Sequence, residues 1–310
     1  MTAAIETRAL TKHYGRVVGI ENLDLTVQTG EIFGFLGPNG AGKTTTIRTL
    51  LGFIRPTGGS ATILGFDSVA QGLGIRQHTT YLPGELALYE GLTGHELATY
   101  FANLRGGGDQ PRDAASIAER LGLDLTRHIK QLSKGNKQKV GLVLAFMDRP
   151  ELIVLDEPTD GLDPLVQQTF YELVEEVRSD GRTIFISSHN LAEVEHVCDR
   201  VAIIRDGLLL NVQPVTELKA RALRRLEIDF ASPVPAADFA ELPGVRDVTV
   251  RGTTLRCTVV GSLDAVVKAA ARYEVRNVMS EAPSLEEIVI GYYTGTENGA
   301  ENGQEARDAA

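Results

Sequence analysis

Gly37-Pro38-Asn39-Gly40-Ala41-Gly42-Lys43-Thr44 constrains this 310-residue chain more than any other stretch. It satisfies GxxxxGK followed by Ser or Thr. An apolar strand pattern, Ile32 to Leu36, leads in, and a helical pattern, Lys43 to Leu51, leads out. The glycines let the backbone curl so that successive N–H groups aim at phosphate oxygens, and the helix start adds the positive end of its dipole. Lys43 would reach the β- and γ-phosphates of a nucleotide, and the Thr44 hydroxyl would hold Mg²⁺. An accidental glycine-rich turn would not bring strand, loop, Lys-Thr pair and helix into this order.

Other short apolar runs match the strand that enters the loop. Leu152 to Leu155, Thr183 to Ser187 and Val201 to Ile204 read as strands buried on both faces, as in a mainly parallel sheet covered by helices. Leu165 to Ser179 reads as a helix that stops before the turn signal Asp180-Gly181. Leu152-Ile153-Val154-Leu155 delivers two carboxylates, Asp156 and Glu157, to the carboxyl end of its strand, where ligands bind in open α/β sheets. Asp156 is placed to serve Mg²⁺, and Glu157 to polarise an attacking water. Alone, such a pair is a common sheet edge; the glycine loop upstream gives it chemical meaning.

The fold class expected is α/β with a small α+β domain behind it. Residues 1–213 form the nucleotide domain, interrupted at about 86–146 by a helical insert that contains the Gly106-Gly107-Gly108 loop. Residues 214–295 form the accessory domain. There Leu226 to Ala231, Val245 to Val250, Thr254 to Val260 and Val275 to Ser280 read as strands, and Leu263 to Tyr273 and Ser284 to Tyr293 as helices. Residues 296–310 are Glu, Asn, Gly and Ala and read as a disordered tail. The formal charge of −10 removes the general attraction that dominates nucleic-acid binding, so no nucleic-acid partner is expected. Two cysteines without CxxC spacing give neither a disulfide framework nor a zinc set. Met1 to Leu10 has no apolar signal core, and no run approaches the ~18–20 apolar residues of a membrane span.

Between the loop and the carboxylates lies Leu132-Ser133-Lys134-Gly135-Asn136-Lys137-Gln138, which resembles the signature segment of ABC ATPases. The rest of that family's set follows in order. Tyr14 resembles the aromatic that stacks on adenine, Gly161-Leu162-Asp163-Pro164 the D-loop, and His189 the switch histidine at the γ-phosphate. The resemblance covers Ile5 to roughly Gln213. It implies a P-loop NTPase of ABC type, with a mainly parallel core, an antiparallel β part and the helical insert. Tyr14, Gly37, Pro38, Asn39, Gly40, Ala41, Gly42, Lys43, Thr44 and Thr45 would then bind ATP, and Thr44 and Asp156 would hold Mg²⁺. Glu157, His189 and Lys43 would be catalytic, and Ser133 and Gly135, with Asp163 of the D-loop, would complete a partner's site.

This sequence departs from the family in two places. Lys134 and Asn136 replace the Gly and Gln that many relatives carry in the signature. In Tyr81-Leu82-Pro83-Gly84-Glu85 the expected Q-loop glutamine is missing, with Gly84 at its position. Either Glu85 or water replaces it, or Mg²⁺ relies on Thr44 and Asp156 alone. The resemblance is to the branch that energises separately encoded exporters of drugs, antibiotics or lipids. It implies a homodimer or paired ABC subunit, a transmembrane permease partner, and a peripheral place on the cytoplasmic side of the membrane. Two other readings stand beside it: a soluble ABC ATPase acting on ribosomes or DNA, and a nucleotide-binding regulator that does not turn over.

Overall fold

The computed structural model describes residues 2–104, 110–220 and 224–281. The chain divides into two compact units, Met1–Val212 and Gln213–Ala310. The first begins with β1 (Ala3–Tyr14), β2 (Val17–Gln28), β3 (Ile32–Leu36), α1 (Lys43–Leu50), β4 (Gly58–Ile63), β5 (Phe66–Asp67), α2 (Gly72–His78) and β6 (Thr79–Leu82). The helices α3 (Gly94–Leu104), α4 (Gln110–Arg120) and α5 (Lys134–Phe146) follow. Then come β7 (Leu152–Asp156), α6 (Pro164–Ser179), β8 (Thr183–Ser188), α7 (Leu191–Val197), β9 (Arg200–Arg205) and β10 (Leu208–Pro214).

Two sheets share one core with α1 in this unit. One has the order β10-β9-β3-β8-β7-β6, and the other β2-β1-β4-β5. Every residue of β3, β7 and β8 is buried, which is why these runs carry no polar alternation. Phe33 and Phe185 stack at 5.9 Å, and Ile47 and Leu50 of α1 join the same core with Leu10, Leu23 and Ile63. Burying each such side chain stabilises the fold by roughly 1.5–3 kcal/mol. The α1 helix is thus held between the sheets, and its first turn cannot drift.

Parallel pairing then aligns the carboxyl ends. Leu36 pairs with Ser188, Asp156 with Ser187, and Leu82 with Leu155. The glycine loop, the Asp156-Glu157 pair, the His189 turn and the Pro83-Gly84 segment therefore leave the sheet along one edge. The antiparallel hairpin is harder to read from sequence. Register shifts fall between Thr7 and Leu10 and again between Leu10 and Lys12, and Ala9 and Asn22 adopt positive φ. Such bulges break the two-residue period on which strand reading depends.

The second unit contains α8 (Val215–Ala220), β11 (Arg224–Phe230), α9 (Ala237–Ala240), β12 (Val245–Arg251), β13 (Thr254–Val259), α10 (Asp264–Ala270) and β14 (Val275–Glu281). Its sheet order, β12-β13-β11-β14, with one helix after β11 and one after β13, is a βαββαβ arrangement of ferredoxin-like type. Leu226, Ile228 and Phe230 alternate inward from β11, and Leu255, Cys257 and Val259 from β13, against Phe239 and Val266 of the two helices. The other face is polar: Arg256 bonds Glu227 at 2.8 Å, and Thr254 bonds Asp229 at 2.6 Å. The helix expected over Leu263 to Tyr273 is shorter, with Leu263 at its N-cap position. The short α9 escapes any periodicity test because four residues make little more than one turn. The Gly106 to Gly108 loop, the helix expected over Ser284 to Tyr293 and the tail from Thr296 lie outside the described residues.

Candidate functional site

The glycine loop is shaped by close backbone approaches. Gly37 N–H donates to the Ser188 carbonyl at 3.2 Å, and Ala41 N–H to that of Pro38 at 3.1 Å. Gly42 sits at φ 106°, and a Cβ there would lie 2.4 Å from the Gly19 carbonyl oxygen. Gly42 is also the N-cap of α1, which has neither a side-chain cap nor an acidic residue in its first turn. The N–H groups at this helix start are therefore left for an external anion. A Cβ on Gly40 would meet nothing within 4 Å, so the outer side of the loop is open.

Lys43 is only 6% exposed, and its ammonium is spent inside the loop. It donates to the carbonyls of Gly37 at 2.6 Å and Pro38 at 3.2 Å and lies 3.1 Å from Glu157 Oε1. Thr44 Oγ1 donates to Asp156 Oδ2 at 2.8 Å across 112 positions of sequence. The Ser187 hydroxyl donates to the other Asp156 oxygen in a very short contact. Sequence reading passed over Ser187; its only signal is a serine ending an apolar strand beside the carboxylates.

Glu157 adopts φ 52°, an uncommon conformation for a residue with a side chain. Its backbone N–H donates to the Ser187 carbonyl at 3.1 Å. This bend sets Glu157 apart from the Asp156 direction, towards Lys43 and His189. His189 Nδ1 lies 2.6 Å from Glu157 Oε2, and the His189 N–H donates to the same oxygen at 3.3 Å. The His189 side chain is 52% exposed, so one side of the ring faces outward. Gln138, also missed from sequence, donates to the Pro158 carbonyl at 3.0 Å and fixes the chain just after Glu157.

Tyr14, at the end of β1, is 49% exposed with the Lys12 ammonium 5.1 Å from its ring centre. A Cβ on Gly19 would lie 3.0 Å from both Tyr14 Cε2 and Thr45 Cγ2. That double approach places the Tyr14 ring beside the first turn of α1, and it explains why β2 has a glycine there.

Ser133 caps α5, its hydroxyl accepting from the Asn136 N–H at 3.3 Å. A Cβ on Gly135 would lie 2.9 Å from the Gly161 carbonyl oxygen, so the signature glycine is a close-packing position against the D-loop. Lys134, where many relatives have glycine, reaches Asp160 at 2.6 Å and ties the same two segments together. Asp163 accepts from Leu165 and Val166 N–H, both at 3.1 Å, and caps α6.

At the position expected for the Q-loop glutamine the structure puts backbone against Asp156. A Cβ on Gly84 would be 3.3 Å from the Asp156 carbonyl oxygen and 3.7 Å from Oδ2. Glu85 is exposed. Nearby, burial first and the Asp156 charge second push the Tyr81 phenol up to about 12, so it stays neutral. The residues present fit a Mg²⁺–triphosphate: an open cradle of N–H groups, a lysine, and the hard oxygens of Thr44 and Asp156.

Residues 20–160 match the protein family described as ABC transporter. An ABC transporter ATP-binding protein of Nostoc sp. is 42% identical over 212 residues, which are 66% of this chain and 62% of that protein. This chain thus spans less than two thirds of that relative's length. The fluoroquinolones export ATP-binding protein of Mycobacterium tuberculosis is 33% identical over 299 residues, with 93% of each chain covered. Among solved structures, an ATP-binding subunit of an ABC transporter superimposes with a TM-score of 0.66 at 31% identity, over 70% of this chain and 92% of that one. Taken with the loop, carboxylates and signature helix they cover, these matches show that the chain belongs to the ABC transporter ATP-binding protein family.

Proposed function

We propose that the chain is the ATP-hydrolysing subunit of an ABC exporter, working as a homodimer or with a paired ABC subunit beneath a separate transmembrane permease. The observation that carries the hydrolytic reading is the cluster Lys43–Glu157–His189, with contacts of 3.1 and 2.6 Å, beside the Thr44–Asp156 pair. Direction is supported by the Mycobacterium relative, which is named for fluoroquinolone export and aligns along 93% of its length. Among the described residues no helix is long and apolar enough to cross a membrane. In the proposed assembly the permease would supply the spans, and this subunit would sit on its cytoplasmic side.

In this mechanism the loop N–H groups and Lys43 hold the phosphates, and Tyr14 stacks on adenine. Lys43 exchanges Glu157 and the Gly37 carbonyl for phosphate oxygens. Thr44 and Asp156 would hold Mg²⁺, which when bound neutralises charge on the β- and γ-phosphates. Glu157 then faces the attacking water as base or orienting carboxylate, and His189 steadies the γ-phosphate. Phosphoryl transfer needs mainly positioning and charge stabilisation, which this arrangement supplies. With one loop and one signature per chain, two chains head to tail would complete two sites, each Ser133 helix end facing the other chain's ATP.

Ser133→Ala removes the cap hydroxyl and one donor to the partner's ATP. It should lower turnover by about tenfold or more, the worth of a hydrogen bond to a charged group. ATP affinity of the isolated subunit should stay near wild type. Equal loss of affinity and turnover would place Ser133 at its own chain's site.

The reading as a whole is tested by purifying the full chain from gently solubilised membranes and measuring phosphate release with Mg²⁺–ATP. A polytopic protein in stoichiometric amount, and turnover that changes in its presence, are the expected results. Ribosomes or DNA in its place would move the function to the soluble alternative. ATP binding without phosphate release would support the regulator.

A further inference from the structure

The α7 helix carries an acid that does not behave as a surface acid. Glu193, in its first turn, is 1% exposed and lies in the core with Leu191, Val194 and Val197. A carboxyl group is rarely placed so deep without a polar task, because burial disfavours its charged form strongly. A first-turn acid that only favoured the helix dipole could do so from the surface.

One hydrogen bond and one near neighbour lead from it to two loops. Oε2 accepts from the Ser188 hydroxyl at 2.5 Å. Ser188 Oγ in turn accepts from the Asn190 N–H at 2.9 Å, and the Asn190 side chain caps α7 by accepting from Ala192 N–H at 3.0 Å. Glu193 therefore closes a ring under the turn that holds His189. Glu193 Oε1 is sealed from solvent and has no hydrogen-bond partner among the described residues. The Thr159 hydroxyl is a near neighbour that favours the charged form of the carboxylate without a formed hydrogen bond.

Thr159 belongs to the segment that follows Glu157. Its carbonyl accepts from Leu162 N–H at 3.1 Å, in the turn that presents Gly161 to Gly135. One buried acid thus lies between the His189 turn and the support of the signature helix. Glu157 and His189 face it from the ends of β7 and β8, Tyr171 from α6 and Cys198 from the end of its own helix; the last two feel its charge. Burial outweighs the hydroxyls and holds the Glu193 carboxyl up at about 7.

We propose that Glu193 is a positioning residue for ATP hydrolysis, linking the His189 turn to the Thr159–Asp163 segment so that the switch histidine and the signature helix move together. The inference rests on the assignment of Glu157 and His189 above. The neutral acid suits the buried site, since ionisation puts a charge where Oε1 has no hydrogen-bond partner. A raised value means that the neutral form is held fully at low pH and lost as pH rises through about 7.

The test compares the full-length wild type with Glu193→Gln, Glu193→Ala and Thr159→Val, reading kcat and KM for Mg²⁺–ATP from pH 6 to 9. Glu193→Ala should lower kcat about tenfold or more with KM changed less than about threefold, as expected for lost positioning. Glu193→Gln, neutral and able to hydrogen-bond, should keep kcat at pH 6, and its ratio to wild type should rise as pH passes 7. Thr159→Val should give part of the loss and add little on top of Glu193→Ala. Wild-type kcat in Glu193→Ala, or equal damage in Gln and Ala, overturns the proposal. If Glu193→Ala does not fold, a flat Gln-to-wild-type ratio together with a normal Thr159→Val overturns it. A wild-type chain that binds ATP and releases no phosphate overturns the hydrolytic reading itself, and this inference with it.

Discussion

Glu157→Gln should leave ATP binding intact and lower turnover by about 10²- to 10⁴-fold, the range of a lost general base. The amide has nearly the shape of the carboxylate and keeps an oxygen to accept from the His189 N–H, now 3.3 Å away. It does not change the backbone requirement at φ 52°, since both side chains meet it equally. What it removes is the negative charge that faces Lys43 at 3.1 Å and would face the attacking water. Lys43 then loses a competitor for its charge, so affinity for ATP should hold or improve. Thr44 and Asp156 keep their 2.8 Å contact, and with it the proposed place for Mg²⁺. Nucleotide titration and phosphate release, measured on the same preparation, separate the two effects. Normal steady turnover would move the base role to another group.

The second large effect is expected from a single methyl group. Gly42→Ala puts a Cβ 2.4 Å from the Gly19 carbonyl oxygen and forces an L-residue to φ 106°. The backbone strain alone costs about 1–3 kcal/mol. The clash is with strand backbone, in a β2 held by pairing along its length, so it cannot be relieved by turning a side chain. The loop must move instead, and the N–H groups at the α1 start move with it. ATP at 100 times its Kd should raise wild-type stability by about 2.7 kcal/mol. That gain should vanish in Gly42→Ala, seen as a thermal midpoint that no longer responds to nucleotide. Gly40→Ala is the control. Its φ is also positive, at 84°, but its Cβ would enter open space, so it should retain a nucleotide-dependent shift. Equal behaviour of the two variants would mean that the close approach to Gly19 does not shape the site.

The parts of the site that could be read in advance are those whose meaning is local. The glycine loop, Lys43 and Thr44 are consecutive, and Leu152 to Asp156 is an unbroken apolar run ending in an acid. Neither needs knowledge of a distant partner. The hairpin of β1 and β2 was less legible because its register shifts interrupt alternation. Lys134 looked like a departure from the signature, and its role came only with Asp160, 2.6 Å away in another segment. Asp163 could be placed in the D-loop by resemblance, but its helix cap depends on how α6 begins.

Glu193 shows the limit most clearly. In sequence it is an ordinary acid at the start of a helix, beside Ala192 and near Glu195. No pattern of neighbours distinguishes it from Glu195. Chain chemistry alone established the buried strands, the phosphate-binding loop and the acids that follow the Leu152 strand, because strand burial and loop shape follow from adjacent residues. Folding decided which distant groups meet. The parallel pairing of β3, β7 and β8 brings Thr44 to Asp156, His189 to Glu157, and Ser188 to the buried Glu193. Those meetings are set by strand register and by the direction in which each strand enters the shared edge, and neither is written in any one segment.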